Sequence, residues 1–188
     1  MSSREKLLCG IDEAGRGPIA GPLVMAGVIL LEHVDGLKDS KTLSEKRREI
    51  LYPQIIAASK YHIAVFSHRE IDDHGMSACL HDGLLQIIDS LSPAVYLFDG
   101  NSTFGVNGVE TLIRADAKIE EVSAASILAK VTRDRMMRHY ALEYPGYGFE
   151  KHKGYGTAAH IDVIRKYGRC AIHRQTFRVK SLDEPTDT

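Results

Sequence analysis

Residues 9–22, Cys-Gly-Ile-Asp-Glu-Ala-Gly-Arg-Gly-Pro-Ile-Ala-Gly-Pro, limit what this chain can fold into more than any other stretch. Two adjacent acids, Asp12 and Glu13, follow the apolar run Leu7–Ile11, and a second apolar run, Pro22–Leu31, comes after the turn Gly15-Arg16-Gly17-Pro18. Two short apolar runs joined by a glycine-rich turn read as neighbouring antiparallel strands. Carboxylates at the end of a buried strand are costly unless a cation neutralises them. The turn offers bare backbone N–H groups and one guanidinium, a combination suited to phosphate. Acids for a metal beside a turn for a phosphate is what metal-dependent phosphodiester chemistry needs.

The rest of the chain extends that start into an α/β architecture. Ser44 is placed to cap a helix with Arg47 and Arg48 in its first turn and Ile50, Leu51, Ile55 and Ile56 on its apolar face. Tyr61–Ser67 reads as a third strand, Ile71–Gly75 as a polar break, and Met76–Leu91 as a helix with Leu80, Leu84, Ile87, Ile88 and Leu91 at helical spacing. Pro93 stops that helix, and Ala94–Phe98 is a fourth strand ending at Asp99-Gly100-Asn101. Val109–Arg114 reads as a fifth strand ending at Asp116, followed by the Ala-rich helix Ser123–Tyr144 and a last helix, Thr157–Tyr167. Three antiparallel strands, then alternating helices and strands, predict a mixed sheet flanked by helices, with a helical C-terminal appendage over about 145–180.

At 188 residues, with 44% apolar residues and 26% charged, the chain is sized for one domain over 1–188, with a flexible polar tail at Ser181–Thr188. No apolar run reaches the roughly 18 residues of a membrane span, so no membrane partner is expected. Pro22–Leu31 does not fit a signal-peptide core. Cys9, Cys79 and Cys170 stand alone, without a C-x-x-C, and read as reduced fillers in a cytoplasmic protein. The net charge of −1 gives no hint of nucleic acid. The distribution does: Lys151, Lys153, Arg165, Lys166, Arg169, Arg174, Arg178 and Lys180 crowd residues 151–180, and Lys41, Lys46, Arg47 and Arg48 form a second cluster.

Four acids, Asp12, Glu13, Asp99 and Asp116, fall at strand ends, where open α/β sheets build their sites. Several carboxylates in one place cannot all ionise alone, and one or two Mg²⁺ or Mn²⁺ ions would resolve the repulsion. Competing motifs fail on context. Gly15-x-Gly17-x-x-Ala20 matches a dinucleotide fingerprint but is followed by prolines and a strand rather than a helix. Gly10-x₄-Gly15-Arg16 lacks the Lys and Ser/Thr of a P-loop. The nine histidines form no H-E-x-x-H and no Cys/His set for zinc; His68 and His74 read as surface residues, and His152 as either a phosphate contact or a solvated residue. Asp134, four residues after Lys130, reads as an ion-pair residue of the long helix rather than a metal ligand. Tyr155 lies between Gly154 and Gly156 in a basic segment, free to approach a sugar, a base or a 2′-OH, whereas Tyr147 reads as a packing residue.

These segments resemble a known family. Asp12-Glu13-Ala14-Gly15-Arg16-Gly17-Pro18 is similar to the signature of ribonuclease HII, the type 2 ribonucleases H. The resemblance continues through Asp39-Ser40-Lys41-x-Leu43-Ser44, Phe98-Asp99-Gly100-Asn101, Ala115-Asp116-Ala117-Lys118 and Ser123–Asp134. His152-Lys153-Gly154-Tyr155-Gly156-Thr157 and His173-Arg174-x-Thr176-Phe177 complete it, in family order over roughly residues 7–180. Gly168-Arg169-Cys170 departs from the family's Gly-Pro pairing, and Val179 directly follows Arg178 where the family tends to have Pro-Val. Ribonuclease HIII resembles the chain in the Asp-Glu pair but has a different glycine turn and an extra N-terminal domain.

The resemblance implies a ribonuclease H-like fold and Mg²⁺- or Mn²⁺-dependent hydrolysis of RNA in RNA–DNA hybrids, with incision at single ribonucleotides in duplex DNA. It implies Asp12, Glu13, Asp99 and Asp116 as catalytic metal ligands. Gly15, Arg16, Gly17 and Tyr155 would read the ribonucleotide–deoxyribonucleotide junction, and Lys41 would contact the backbone near the scissile phosphate. A two-metal mechanism leaves 5′-phosphate and 3′-OH ends. The expected acting unit is a monomer. The alternatives are a non-catalytic nucleic-acid-binding module on the same fold, and a DNA nuclease or nucleotidyl-transfer enzyme, which would share the acids without needing the Gly-Arg-Gly turn and Tyr155.

Overall fold

The computed structural model describes residues 7–37 and 43–183. Its five-stranded sheet is built from β1 (Leu8–Ala14), β2 (Leu23–Leu30), β3 (Ser59–Phe66), β4 (Val95–Asp99) and β5 (Val109–Leu112), in the order β3-β2-β1-β4-β5. β1, β2 and β3 pair antiparallel, while β4 runs parallel to β1 and β5 parallel to β4. The mixed sheet is thus the expected one. Because β1, β4 and β5 run parallel, all three finish at the same end of the sheet.

Alternation along β1 sorts its side chains to two cores. Cys9 and Ile11 join Met25, Phe66 and Phe98 beneath α3 (Met76–Leu91), whose Leu80, Leu84 and Ile87 are buried. Each such side chain contributes about 1.5–3 kcal/mol. The other face packs Val24, Ala26 and Val28 against α1 (Glu45–Ala58) and α4 (Glu120–Glu143). Gly10 lies on that face, and a Cβ there would sit 2.3 Å from the backbone of Glu121 and Val122. Only glycine lets α4 rest directly on β1, and that contact brings the next turns of α4 over Asp12.

Beyond the sheet, α5 (Phe149–His152), α6 (Ala158–Tyr167) and α7 (Lys180–Asp183) form the C-terminal layer. Phe149 and Ile172 pack with Ala20 and Met137, and Ile161 and Ile164 with Ile19. Backbone bonds stitch this layer to the segment after the glycine turn: Ile19 N–H donates to Gly154 C=O (2.9 Å), Arg174 N–H to Ile19 C=O (2.9 Å) and Gly21 N–H to Ile172 C=O (2.9 Å).

Several local expectations need correction. The segment expected as a break at Ile71–Gly75 belongs to a helix, α2 (His68–His74), started by a Ser67/Glu70 capping box that outweighs its polar composition. Ile50 is 43% exposed; the buried stripe of α1 is Leu51, Ile55 and Ala58. Ser44 caps α1 as expected, accepting from Arg47 N–H at 3.2 Å. β1 continues through both acids, so Asp12 and Glu13 lie in the strand rather than after it. The helix α7 takes in the first residues of the expected tail at 181–188. Among the described residues, no helix is long and apolar enough to cross a membrane.

Candidate active site

β1 and β4 are in parallel register with Ile11 opposite Phe98, so the next residues, Asp12 and Asp99, are neighbours at the carboxyl ends of their strands. β5 runs beside β4, and the chain leaving it turns through a 3₁₀ segment, Ala115–Ala117, which delivers Asp116 to the same place. Oxygens of Asp12, Asp99 and Asp116 all lie within 4.8 Å of one another. Asp99 is oriented by Ala115 N–H (3.2 Å), and Asp12 by Glu13 N–H (2.8 Å). The three open onto a cavity of about 370 Å³ that Arg48, Ser126, Ile127 and Lys130 also line.

Glu13 stands on the opposite face of β1 and outside the converging trio. Its Oε1 pairs with Arg16 Nη1 at 3.2 Å, while its Oε2 is buried without a hydrogen bond. Burial, together with the charges of Glu13 and Asp99, holds the Asp12 carboxyl well above the usual carboxylate range, against the hydrogen bonds from Ser126 and Glu13. Burial also raises Glu13, opposed by Arg16 and reinforced by Asp99. The pocket carries more negative charge than its own side chains neutralise, which is the state a divalent cation relieves. The donor set, all hard carboxylate oxygens with one spare buried oxygen, fits Mg²⁺ or Mn²⁺ and does not fit a thiolate- or imidazole-seeking metal.

The glycine turn and Tyr155 meet nearby. Gly15 has φ +104°, and a Cβ there would lie 2.4 Å from Arg133 Nε and 2.5 Å from Pro22 O, so the turn closes only with glycine. A Cβ on Gly17 would touch Tyr155 Cε1 at 3.8 Å, so this turn faces the tyrosine ring, which is 43% exposed. Arg16 is exposed, with its guanidinium 5.6 Å from the Phe104 ring. Lys41 lies outside the described residues.

Three sequence readings change here. Arg174, counted with the basic surface, is fully buried and bonded to backbone carbonyls; Arg169 likewise holds the carbonyls of Arg174 and Phe177. Lys153 turns inward to Glu150 C=O (2.7 Å). Lys151, Arg165, Lys166, Arg178 and Lys180 remain on the surface. His152 is no solvated residue: its ring stacks on His160 at 4.0 Å between centroids, with Nε2 2.7 Å from Tyr147 O. His68 is half-buried with both ring nitrogens out of solvent, whereas His74 is exposed. Asp134 pairs with Lys130 at 3.4 Å, as read, and Tyr147 stacks on Phe149. Sequence reasoning missed Arg48, Ser126 and Lys130 as pocket-lining residues. The available signal was that Ser126 and Lys130 are spaced i, i+4 on the helix crossing β1.

The comparisons agree with this geometry. The structure superposes on the ribonuclease HII of Archaeoglobus fulgidus, solved in complex with PCNA, with a TM-score of 0.83 and 28% identity over 96% of this chain and 98% of that one. The ribonuclease H2 of Pyrococcus horikoshii gives a TM-score of 0.73 and 30% identity over 90% and 93% of the two chains. Fold and acidic pocket thus define a protein of the ribonuclease H class. The family model for ribonuclease HII matches residues 9–180, and the ribonuclease HII of a Sulfurovum species is 63% identical over 186 residues, 99% of each chain. The chain belongs to the ribonuclease HII family, the type 2 ribonucleases H, which are endoribonuclease hydrolases.

Proposed function

We propose that this chain hydrolyses the RNA strand of RNA–DNA hybrids and incises 5′ of single ribonucleotides embedded in duplex DNA, with Mg²⁺ or Mn²⁺ as cofactor. The observation that carries the reading is the meeting of Asp12, Asp99 and Asp116 within 4.8 Å at the rim of an open cavity, beside a glycine turn and an exposed tyrosine. A non-catalytic binding module would have no use for three carboxylates crowded together there.

Asp12, Asp99 and Asp116, with Glu13 beside them, would hold the cations. Bound there, Mg²⁺ or Mn²⁺ supplies the acidity that makes water a nucleophile and the charge that stabilises the leaving 3′-oxygen. The remaining work belongs to the chain. Ala115 N–H fixes the Asp99 carboxylate, and the Glu13 N–H and Ser126 fix that of Asp12. Arg48 and Lys130, across the cavity, orient the phosphate by charge. Lys41 is assigned to the same backbone. Gly15, Arg16 and Gly17 approach the ribose, and Tyr155 stacks on the following deoxyribose, where a 2′-OH would crowd the ring. Hydrolysis on this plan leaves 5′-phosphate and 3′-OH ends.

The test is cleavage of an end-labelled duplex carrying one ribonucleotide, beside a long RNA–DNA hybrid, with Mg²⁺, with Mn²⁺ and with chelator. The reading expects one metal-dependent cut 5′ of the ribonucleotide and cuts along the hybrid RNA. Cleavage that survives chelation, or products ending in a cyclic phosphate, would overturn it.

A further inference from the structure

Two arginines lie buried behind the glycine turn, and neither takes part in an ion pair among the described residues. Arg133, from α4, donates to three carbonyls: Nε to Pro22 O (2.9 Å), Nη1 to Lys153 O (2.9 Å) and Nη2 to Ala20 O (3.1 Å). Arg174 makes four such bonds: Nε to Gly21 O (3.0 Å), Nη1 to Arg16 O (3.2 Å), and Nη2 to Gly15 O (2.6 Å) and Pro22 O (3.2 Å). The nearby carboxylates are engaged elsewhere. Asp72 accepts from Gln175 N–H, Thr176 N–H and the Thr176 hydroxyl, and Asp134 holds Lys130. Burial and the neighbouring Arg133 push Arg174 down to about 9, so it remains charged at neutral pH.

Peptide geometry turns this clamp outward. In a trans peptide the carbonyl of one residue and the N–H of the next point in opposite directions. The peptides of the turn are trans. With the Gly15 and Arg16 carbonyls drawn inward to Arg174, the Arg16 and Gly17 N–H groups face out. Both residues are exposed, and neither N–H has a hydrogen-bond acceptor among the described residues. Arg133 acts on the opposing element: it holds the Lys153 carbonyl and lies 5.8 Å from the Tyr155 ring centroid. One guanidinium fixes the N–H groups and the other fixes the ring that faces them. Their uncompensated charge also polarises the clamped carbonyls and so strengthens the outward donors.

We propose that Arg133 and Arg174 are positioning residues for ribose recognition, holding the Arg16 and Gly17 N–H groups and the Tyr155 ring as one rigid surface against the 2′-oxygen. The inference rests on the ribonucleotide-reading function proposed above.

Binding by the metal-free protein, kept from cutting by chelator, tests it. Fluorescence anisotropy compares a duplex carrying one ribonucleotide with an all-DNA duplex of the same sequence. Wild type should prefer the former. Arg174→Lys keeps the charge but loses the forked donors, and should lose affinity for the ribonucleotide duplex about tenfold while losing less for all-DNA. Arg133→Lys should narrow the preference in the same way. Amide NMR of wild type is independent of whether the variants fold: Arg16 and Gly17 N–H signals should move with the ribonucleotide duplex and not with the all-DNA one. A wild-type preference that both variants retain, an equal loss on both duplexes, or Arg16 and Gly17 amides that ignore the ribonucleotide would each overturn the inference while sparing the function. A wild type indifferent to the ribonucleotide would overturn both.

Discussion

At the carboxylate pocket, Asp12, Asp99 and Asp116 bring like charges within 4.8 Å, and burial raises the affinity of Asp12 for protons. Behind the glycine turn, Arg133 and Arg174 are fully buried, yet Arg133 donates three hydrogen bonds to backbone carbonyls and Arg174 four. The same chain thus crowds like negative charges together in one place and spreads buried positive charge over neutral carbonyls in another. Crowded like charge marks where a cation would be favoured; charge spread over backbone carbonyls marks what holds that place in shape. His160 and His173 extend the satisfied layer. Cys170 N–H donates to His173 Nδ1 (2.9 Å), His173 Nε2 faces His160 Nε2 (3.1 Å), and His160 Nδ1 faces Tyr155 O (2.9 Å). With His173 Nδ1 accepting from Cys170 N–H, that order has His173 Nε2 donating to His160 and His160 Nδ1 to the Tyr155 carbonyl.

The sharpest way to break the contrast is to remove a charge from each region. Asp99→Asn keeps shape and loses the charge that holds a cation, so cleavage should fall about a thousandfold or more. The metal-free protein should melt no lower than wild type, because a repulsive contact has gone. Cleavage near wild type at saturating Mg²⁺ would remove Asp99 from the site. Arg174→Ala should do the reverse to stability. It takes the guanidinium from the Gly15, Arg16 and Gly21 carbonyls, Pro22 O keeping Arg133, and should cost roughly 3 kcal/mol or more, read as a lowered urea midpoint. A midpoint unchanged from wild type would show that the carbonyls find water instead.

Tyr155→Ala probes where the two regions meet. Stacking on a sugar or base contributes about 1–3 kcal/mol, so kcat/KM on the single-ribonucleotide duplex should fall roughly tenfold to a hundredfold. The loss on a long hybrid should be smaller, since no deoxyribose follows the cut there. Equal proportional losses would make Tyr155 a packing residue and leave junction reading to the glycine turn.

The smallest effect expected is that of pH. Burial pushes His160 and His173 down to about 4 from an unfolded value of 6.5. They bind protons more weakly folded than unfolded, so their contribution to stability is complete above about pH 6.5 and is lost as pH falls toward 4. Asp12 and Glu13, held above their ordinary values, act in the opposite sense: protonation relieves the pocket as pH falls. A Tm that declines by several degrees from neutral to mildly acidic pH should therefore decline more steeply in Glu13→Gln, which removes part of the opposing relief. An identical pH profile in the two proteins would contradict this division.

The pocket was legible in the sequence and its support was not, for a physical reason. Asp12 lies near the end of one apolar run, Asp99 ends another and Asp116 follows a third segment, a placement of acids against apolar runs that contradicts burial and so draws the eye. Arg133 and Arg174 carry no such contradiction. An arginine on a helix or in a loop reads as surface, and only the convergence of carbonyls from residues 15–22 and 153 shows otherwise. The sheet was legible because β1 and β2 are apolar runs joined by glycines, whereas α2 hid behind polar residues and was betrayed only by its Ser67/Glu70 box. Lys130 was read through its Asp134 partner, and its place over Asp12 required knowing that α4 rests on Gly10.

The central claim is that the crowded carboxylates Asp12, Asp99 and Asp116 repel one another and that a bound divalent cation would relieve them. Thermal melting of wild type and Asp99→Asn, each with chelator and with saturating Mg²⁺ or Mn²⁺, tests it most directly. The account predicts that wild type gains several degrees with metal, by mass action on the folded state, and that Asp99→Asn starts as high or higher and gains little. A wild-type Tm indifferent to both ions, or an equal gain in the variant, would contradict it.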